Sequence, residues 1–286
     1  MKTKNKTIEI SDQELQSIQN GWNSIAEHYD TFVTPTGNWA LPNEALRHAD
    51  LKPGMSFLDV ASGSGALSLP AARKGARVHA VDLSPVMIKC LQKRAANEKI
   101  TDLEAQVMDG HALEFEDNTF DISGSQFGVM LFPDLKQGLR EMARVTKPGG
   151  RVLMVAYGPP HEVEFLGVFM QAMKSVVPGF TGLPSDPPPL PFQVADPIVL
   201  RQRMEEVGLK DVQIYKSSEK LEFNSGTEMW DWVVHSNPIP AMLVKDLTNE
   251  QVSKIKHHLD QQIQSIAGNK LPAVLSAPVH IGIGIK

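Results

Sequence analysis

The chain has 286 residues, which is long enough to bury a sizeable core as one large domain or as a domain with a substantial insertion. Its hydrophobic share of 42% and charged share of 21% are ordinary for a soluble globular protein, and its net charge of −5 favours neither nucleic acid nor an anionic membrane as a partner. A single cysteine, Cys90, excludes an intrachain disulfide and a cysteine metal cluster, so we expect a reducing cytoplasmic setting and no metal site.

The first predicted elements are helices. The stretch from Ser11 to Glu14 has the spacing of a capping box and predicts a helix that runs to about Tyr29. Residues 30–43 contain two prolines and a glycine and predict a loop, and a short helix is expected over residues 44–49. The N-terminus has no apolar core segment and no apolar run approaches the length of a membrane span, so we expect neither a signal peptide nor a membrane helix.

From Ser56 onward, strands and helices alternate. The predicted strands cover residues 56–60, 77–81, 103–108, 120–125 and 151–157, and the predicted helices cover 66–74, 85–97 and 135–145. The sequence Lys147-Pro148-Gly149-Gly150 predicts a turn before the last of these strands. Such an alternation indicates a parallel sheet with helices on both faces.

After Gly158 the alternation ends. We predict helices over 162–177, 197–207 and 249–266 and around Trp230–His235, with strands over 212–216 and 279–285. The segment 178–197 is rich in glycine and proline and predicts a long surface loop that acts as a lid or a pocket wall. Its proline-rich patch 184–191 could instead be a partner-binding polyproline stretch, but a compact enzyme favours the lid.

The turn after the first predicted strand carries the first sign of a binding site. The stretch DVASGSG covers residues 59–65, and its glycines at 63 and 65 allow the backbone to approach a ligand closely. A dinucleotide fingerprint would place a third glycine at Ser68 and no acid in the strand. Asp59 would repel a pyrophosphate at the helix N-terminus, so we expect a ligand that offers positive charge or hydrogen-bond donors.

Two further carboxylates follow the next two strands. Asp82 comes near the ~20-residue spacing that places a ribose-binding acid in doubly wound sheets. Asp109 follows the third strand and could accept from an exocyclic adenine amine. Because the three acids end parallel strands at one edge, the ligand should carry ribose hydroxyls, an adenine amine and an ammonium, but no phosphate. These features describe S-adenosylmethionine (SAM).

Residues 56–158 resemble a class I SAM-dependent methyltransferase, within which the chain is most similar to the group containing the ubiquinone and menaquinone C-methyltransferases. The motifs that carry the resemblance are SIAEHYD (24–30), FLDVASGSG (57–65), VHAVDLSPVMI (78–88), VMDGHALEFEDNTFDI (107–122) and EMARVTKPGGRVLMV (141–155). The resemblance implies an α/β fold with a doubly wound, mostly parallel, seven-stranded Rossmann-like sheet, N-terminal helices and a helical insertion near the C-terminus. It divides the chain into a helical entrance segment (1–50), a SAM-binding core (51–160) and a substrate-pocket and lid region (161–286).

Transferred residue by residue, the resemblance also implies a SAM-binding set. Asp59 would lie near the methionine ammonium, Asp82 would bind the ribose hydroxyls and Asp109 the adenine amine, while the residues after the fourth strand would face the transferred methyl. The full set is Tyr29, Asp59, Ala61, Gly63, Gly65, Asp82, Leu83, Met87, Asp109, Gly110, His111, Ser125, Gln126 and Phe127.

Ala61 departs from the family pattern of acid-x-Gly-x-Gly-x-Gly, because it replaces the first glycine. Alanine is small enough to keep the turn if its φ angle stays negative. We therefore predict a negative φ at this position.

No catalytic base is obligatory in this pattern. Candidate bases are His111, Gln126, His161 and His235, each of which could equally be structural or solvated, since no orienting partner is visible in the sequence. The tryptophans could wall an apolar substrate pocket or pack in the core; they are Trp22, Trp39, Trp230 and Trp232.

Methyl transfer from a sulfonium requires mainly that the reacting atoms be aligned and that water be excluded. We predict an enzyme that transfers the methyl group of SAM to a small, mostly apolar molecule by O-, N- or C-methylation and releases S-adenosylhomocysteine (SAH). One alternative is an NAD(P)-dependent oxidoreductase, disfavoured by the missing third glycine and by Asp59. The other is a SAM-binding protein that has lost methyl transfer.

Overall fold

A seven-stranded sheet forms the centre of the molecule. The computed structural model describes residues 10–34, 40–268 and 270–286. The strands are β1 (Ser56–Val60), β2 (Arg77–Asp82), β3 (Leu103–Val107), β4 (Phe120–Gln126), β5 (Thr146–Tyr157), β6 (Lys210–Phe223) and β7 (Ala273–Ile285). They lie in the order β3-β2-β1-β4-β5-β7-β6, and β7 runs antiparallel to both of its neighbours. The predicted doubly wound, mostly parallel sheet is confirmed.

Helices flank this sheet. They are α1 (Asp12–His28), α2 (Ala40–His48), α3 (Ser68–Arg73), α4 (Pro85–Asn97), α5 (Leu135–Val145), α6 (Glu164–Val176), α7 (Pro197–Glu205), α8 (Gly226–Ser236), α9 (Pro238–Val244) and α10 (Asn249–Ala267). The predicted caps are present: Ser11 and Glu14 form a capping box, and the Ser84 hydroxyl accepts the Met87 N–H at 3.1 Å. Helices α8 to α10 lie between β6 and β7 and form the helical insertion expected near the C-terminus.

The segment after α1 differs from the predicted loop. Residues Tyr29–Val33 continue the helix as one wider turn, in which the N–H of Thr34 donates to the carbonyl of Tyr29 at 3.1 Å. Helix α2 begins at Ala40 rather than at residue 44, because a proline in the first turn, here Pro42, removes no helical hydrogen bond. Residues 35–39, which include part of the predicted loop and Trp39, lie outside the described residues.

The last two strands are much longer than predicted. Strands β6 and β7 pair with each other from Lys210 to Phe223, although the polar middle of β6 has no apolar alternation. Strand β6 continues past its predicted end because it pairs with β7, and this long-range pairing leaves no local pattern in the sequence. The predicted turn at 147–150 lies instead within β5, at a register shift against β4. Helix α9 was not predicted, because the prolines in its first turn are typical of loops.

Three large apolar clusters hold the fold together. One lies on the face of the sheet covered by α5 and α7, and a second on the face covered by α2 and α3. A third joins α6, α8 and α10 to the protruding halves of β6 and β7. Within the described ranges, no helix is long and apolar enough to cross a membrane, and no group of three or more His, Cys, Asp and Glu side chains could hold a metal ion.

Candidate functional site

The loop between β1 and α3 has an unusual backbone. Ala61 has a φ angle of +55°, so the predicted negative φ is wrong. A Cβ built on Gly128 would lie 2.6 Å from the Cβ of Ala61, and the N–H of Ser62 donates to the carbonyl of Val81 at 3.0 Å. Close contact with the loop after β4 and this bond to β2 hold residue 61 in the left-handed region, where alanine is strained.

Asp82 ties the glycine turn to the end of β2. Its Oδ2 accepts the N–H of Gly63 at 2.9 Å, and its Oδ1 accepts the N–H of Ser84 at 2.8 Å. Burial raises the pKa of this carboxyl group, and the two backbone hydrogen bonds oppose the rise. Each oxygen keeps a free lone pair, so the group can still accept from ligand hydroxyls.

Asp59 is fully buried one residue before the end of β1, with 1% of its surface exposed. Its Oδ2 accepts the hydroxyl of Ser68 at 2.5 Å, which gives a function to the residue that replaces a fingerprint glycine. Burial raises the pKa of Asp59 to about 7; the Ser68 hydrogen bond opposes the rise and the charge of Asp82 adds to it. A cationic ligand group beside this carboxyl would favour its ionised form.

Asp109 and His111 form a hydrogen-bonded pair beyond the end of β3. The Oδ1 of Asp109 accepts the backbone N–H of His111 at 2.9 Å and lies 2.8 Å from its Nδ1. Burial tends to raise the pKa of Asp109, but the hydrogen bonds and charge of His111 outweigh it, so the pKa is lowered. The imidazole packs on Phe132, and its Nε2 is buried without a hydrogen-bond partner. The orienting partner that the sequence did not reveal is therefore Asp109.

These acids line a cavity of about 890 Å³, counting its open mouth, which we call the turn cavity. Among the predicted SAM-binding residues, those that line it are Tyr29, Asp59, Ala61, Gly63, Asp82, Leu83, Met87, Asp109, Gly110, His111, Gln126 and Phe127. The structure thus brings most of the predicted set together, and their binding roles stay predictions.

Two predicted members do not line the turn cavity. A Cβ on Gly65 would lie 2.3 Å from the Cδ1 of Leu91, so this glycine allows the turn before α3 to pack closely against α4. The hydroxyl of Ser125 is buried and accepts the N–H of Val129 at 3.0 Å. Both residues therefore shape the surrounding loops from behind the cavity wall.

Helix α1 supplies two wall residues that no motif had identified, Leu15 and Ile18, beside Trp22, which was already a candidate wall residue. Leu15, Ile18 and Trp22 line the turn cavity, and Gln19 donates to the carbonyl of Leu83 at 2.8 Å. Apolar residues spaced three and four apart along α1 are the signal that could have identified this face. The helix covers the cavity beside the end of β2.

A second and larger cavity adjoins the first. Its volume is about 1270 Å³ counting its mouth, and aromatic and aliphatic side chains from α6, α8, α9 and residues 183–192 make most of its wall, so we call it the apolar cavity. The predicted lid segment contributes Leu183, Pro189, Pro191 and Phe192. The two cavities share a wall formed by Trp22, Tyr29, Ala66, Gln126, Phe127 and Leu131. Ligands in the two cavities would therefore lie next to each other at the junction that these side chains border.

Glu219 is the single charged residue among the described residues that line the apolar cavity. Burial raises its pKa to about 7, and a hydrogen bond from the Tyr157 hydroxyl, at 3.3 Å, opposes the rise. No motif pointed to Glu219, because the predicted strand ended at residue 216.

The candidate bases lie in different places. Gln126 is in the shared wall, with its Oε1 buried and unpartnered. His161 is exposed beside Glu162, and His235 stacks on His28 with ring centres 4.4 Å apart; neither lines a described cavity. Of the tryptophans, Trp22 and Trp232 line the apolar cavity, whereas Trp230 packs on Phe169 in the third apolar cluster.

Comparison with known proteins gives the family. The model of the ubiE/COQ5 methyltransferase family matches residues 9–186, which is more than half of the chain. The chain belongs to the ubiE/COQ5 methyltransferase family. The resemblance predicted from the motifs at the three strand ends is thereby confirmed. The family match ends before β6, so Glu219 lies outside it.

Relatives within and around the ubiE/COQ5 methyltransferase family match parts of the chain. An uncharacterised protein of Mycobacterium tuberculosis (strain H37Rv) is 42% identical over 109 residues, 38% of this chain and 39% of that protein. The demethylmenaquinone methyltransferase of Streptomyces griseus is 32% identical over 185 residues, 63% of this chain and 77% of that enzyme. The match thus spans about two fifths of the mycobacterial relative's length.

A solved structure shows the same fold. The crystal structure of the YcgJ protein from Bacillus subtilis aligns with a TM-score of 0.57 at 18% sequence identity, covering 86% of this chain and 97% of that chain. At this identity the likeness concerns the fold alone.

Proposed function

We propose that the protein is a SAM-dependent methyltransferase that methylates a small, mostly apolar molecule. The observation that carries the proposal is the pair of adjoining cavities, one bordered by three strand-end carboxylates and the other almost wholly apolar. Membership of the ubiE/COQ5 methyltransferase family supports it. A group transfer requires its two reactants to be in direct contact, and cavities that adjoin at common bordering side chains allow this.

The turn cavity offers partners for each polar part of SAM. Asp82 has free lone pairs for ribose hydroxyls, and buried Asp59 would gain a cation from the methionine ammonium. The carboxylate of Asp109 can accept a hydrogen bond from an adenine amine, and the unpartnered Nε2 of His111 can accept another when the imidazole is neutral with its proton on Nδ1. The same carboxylates would repel the pyrophosphate of NAD(P), which argues against the oxidoreductase alternative.

The bound cofactor would supply an electrophilic methyl group, and the protein would align the acceptor and exclude water. Helix α1 and residues 183–192 cover the cavities from solvent-facing sides and would serve as entrance and lid. Holding the reactants in line can lower the barrier by about 7–11 kcal/mol. The apolar lining supports an acceptor dominated by hydrocarbon or aromatic surface, as a quinol would be.

The division into an entrance segment (1–50), a SAM-binding core (51–160) and a substrate-pocket and lid region (161–286) is part of this proposal. So is a cytoplasmic location, which the single free cysteine supports, and the absence of a nucleic-acid partner, which the net charge of −5 supports.

Calorimetric titration with SAM, SAH and NADH tests the cofactor. We expect SAM and SAH to bind and NADH not to bind; preferential binding of NADH would refute the proposal. Incubation with methyl-labelled SAM and fractionated metabolite extract tests the transfer. We expect label in a small apolar product, whereas label found only in protein or nucleic acid would overturn the acceptor class.

A further inference from the structure

Glu219 is half-buried and lies on the side of β6 that becomes fully buried towards the end of the strand. Leu221 and Phe223, the next residues on the same side of the strand, are each 1% exposed. A carboxylate at such a position loses hydration, which proteins tolerate mainly where the charge has a partner or a task. Among the described residues, no lysine or arginine pairs with it, and its hydrogen-bond partner is the Tyr157 hydroxyl.

The groups that face Glu219 come from two elements. Tyr157 lies on β5, and Tyr29, at the end of α1, has a pKa raised by burial and by the charges of Glu219 and Asp82. One step earlier on the same side of β6, the hydroxyl of Ser217 donates to Glu44 of α2 at 2.6 Å. The partner of the Glu219 carboxylate is therefore phenolic, and among the described residues no lysine or arginine pairs with it to keep it ionised.

Glu219 also lies close to the wall between the cavities. The ring of its partner Tyr157 stacks on Phe127 with ring centres 4.4 Å apart, and Phe127 borders both cavities. Tyr29 belongs to the same wall and is close enough to both Glu219 and Asp82 to feel their charges. An acceptor placed against this wall would have Glu219 within its own cavity.

We propose that Glu219 is the general base of the methyl transfer and takes the proton of a phenolic or enolic hydroxyl on the acceptor. This inference rests on the proposed function. A neutral hydroxyl of this kind is a poor nucleophile until its proton leaves, which is when a base is required. With a pKa of about 7, Glu219 would be poised near neutral pH to accept and later release that proton.

The reaction moves one proton and one methyl group. The hydroxyl proton moves to the carboxylate of Glu219, and the acceptor oxygen, or the ring carbon that it activates, forms a bond to the methyl carbon. The sulfur–methyl bond breaks, its electron pair stays on sulfur, and neutral SAH results. In oxygen methylation, Glu219 then releases its proton to solvent. In carbon methylation, Glu219 returns its proton to the acceptor oxygen, and the proton of the attacked ring carbon passes to the freed carboxylate and then to solvent. Tyr157 acts as a positioning residue that holds the carboxylate.

Kinetics with matched nucleophiles test the base. Naphthol, which needs a base, and naphthalenethiol, which ionises readily by itself, serve as probe acceptors with SAM. We expect Glu219→Gln to lower the naphthol rate by about 10²–10⁴-fold and the thiol rate far less. The wild-type rate with naphthol should rise with pH through about 7, and the variant should lose this dependence. Glu222→Gln, on the exposed side of the same strand, is the control and should match wild type.

A binding measurement tests the role of Glu219 without requiring catalysis. With SAH present, calorimetry compares naphthol with its methyl ether, which cannot donate a hydrogen bond. We expect the wild type to prefer naphthol by about tenfold or more, and Glu219→Leu to lose that preference while SAH affinity is kept. No preference in the wild type, or the same preference in Glu219→Leu, overturns the inference.

The outcomes separate this inference from the proposed function. A wild type that binds neither SAM nor SAH refutes both. A wild type that binds SAM and methylates naphthol with a rate and pH dependence unchanged in Glu219→Gln refutes the base alone. Tyr157→Phe should shift the pH dependence without abolishing the thiol reaction, because it removes the hydrogen bond that holds the carboxylate.

Discussion

The carboxylate of Asp82 accepts the backbone N–H of Gly63 at 2.9 Å, so the acid that ends β2 is bonded to the glycine turn that follows β1. The same carboxylate accepts the N–H of Ser84 before α4. One side chain thereby links two adjacent strand ends and keeps lone pairs directed at a ligand. Asp82 therefore couples the shape of the glycine turn to ligand binding.

Asp82→Ala should weaken SAM binding by about 1.5–3 kcal/mol, because it removes a charged hydrogen-bond acceptor. It should also lower the free energy of unfolding, since two buried N–H groups lose their partner. Calorimetry with SAM and urea unfolding measure the two effects separately. Asp102→Ala, which removes an exposed carboxylate before β3, is the control and should change neither. Unchanged SAM affinity in a folded Asp82→Ala protein would contradict the ribose role.

Ala61→Gly should leave stability unchanged or raise the free energy of unfolding by up to about 1 kcal/mol. Relief of the strain at a φ of +55° is worth about 1–2 kcal/mol, and the greater freedom of unfolded glycine takes back about 0.4–1 kcal/mol. The same substitution at Ala96, exposed within α4, should cost about 1 kcal/mol. Urea unfolding of both variants gives the comparison, and a loss of similar size at both positions would argue against strain at Ala61.

Gly63→Ala and Gly65→Ala should separate ligand contact from packing. At Gly63 the new methyl group would have open space, with Tyr29 3.8 Å away, so we expect a strain of about 1–2 kcal/mol and weaker SAM binding. At Gly65 the methyl group would meet Leu91 at 2.3 Å and Leu69 at 3.2 Å, which adds about 1–3 kcal/mol of overpacking. Unfolding midpoints measure the effect of each variant on packing and strain, and SAM affinity measures its effect on ligand contact. If Gly65→Ala weakened SAM binding at full stability, its assignment to packing would be wrong.

The buried carboxyl of Asp59 predicts how pH affects stability and binding. Because its pKa is raised from the ordinary value of 3.8 to about 7, the folded protein holds a proton that the unfolded chain releases. The free energy of unfolding without ligand should therefore fall as pH rises from about 4 to about 7. SAM, with its cation, should bind more tightly as pH rises through about 7. Glu219, with its own pKa raised to about 7, should contribute the same sign to stability.

Urea unfolding and calorimetry over this pH range provide the measurement, with Asp59→Asn expected to flatten both dependences. Asp121→Asn is the comparison variant, because the carboxyl that it removes affects the pH dependence of stability with the opposite sign. The carboxyl of Asp121 bonds to Ser56 and Lys147, and its pKa is lowered, so it stabilises the fold above about pH 4 and loses that effect in acid. A wild type whose stability rose between about pH 4 and 7, with Asp59→Asn unchanged, would show that Asp59 is ionised in the free protein.

The sequence by itself determined the sheet, the family and most of one cavity. Parallel strands end at one edge, so Asp59, Asp82 and Asp109 had to meet there whatever the details of packing. Capping residues such as Ser84 also act locally, which is why α4 was predicted correctly at its first residue.

Only the tertiary structure decided the rest. The left-handed φ of Ala61 depends on contact with Gly128, and the role of Gly65 depends on Leu91, both distant in sequence. Glu219 entered the apolar cavity because β7 pairs with the polar half of β6 and turns that row of side chains inward. Local patterns encode hydrogen bonds within a few residues, whereas strain, close packing and the burial of a charge arise from neighbours that only the folded chain brings together.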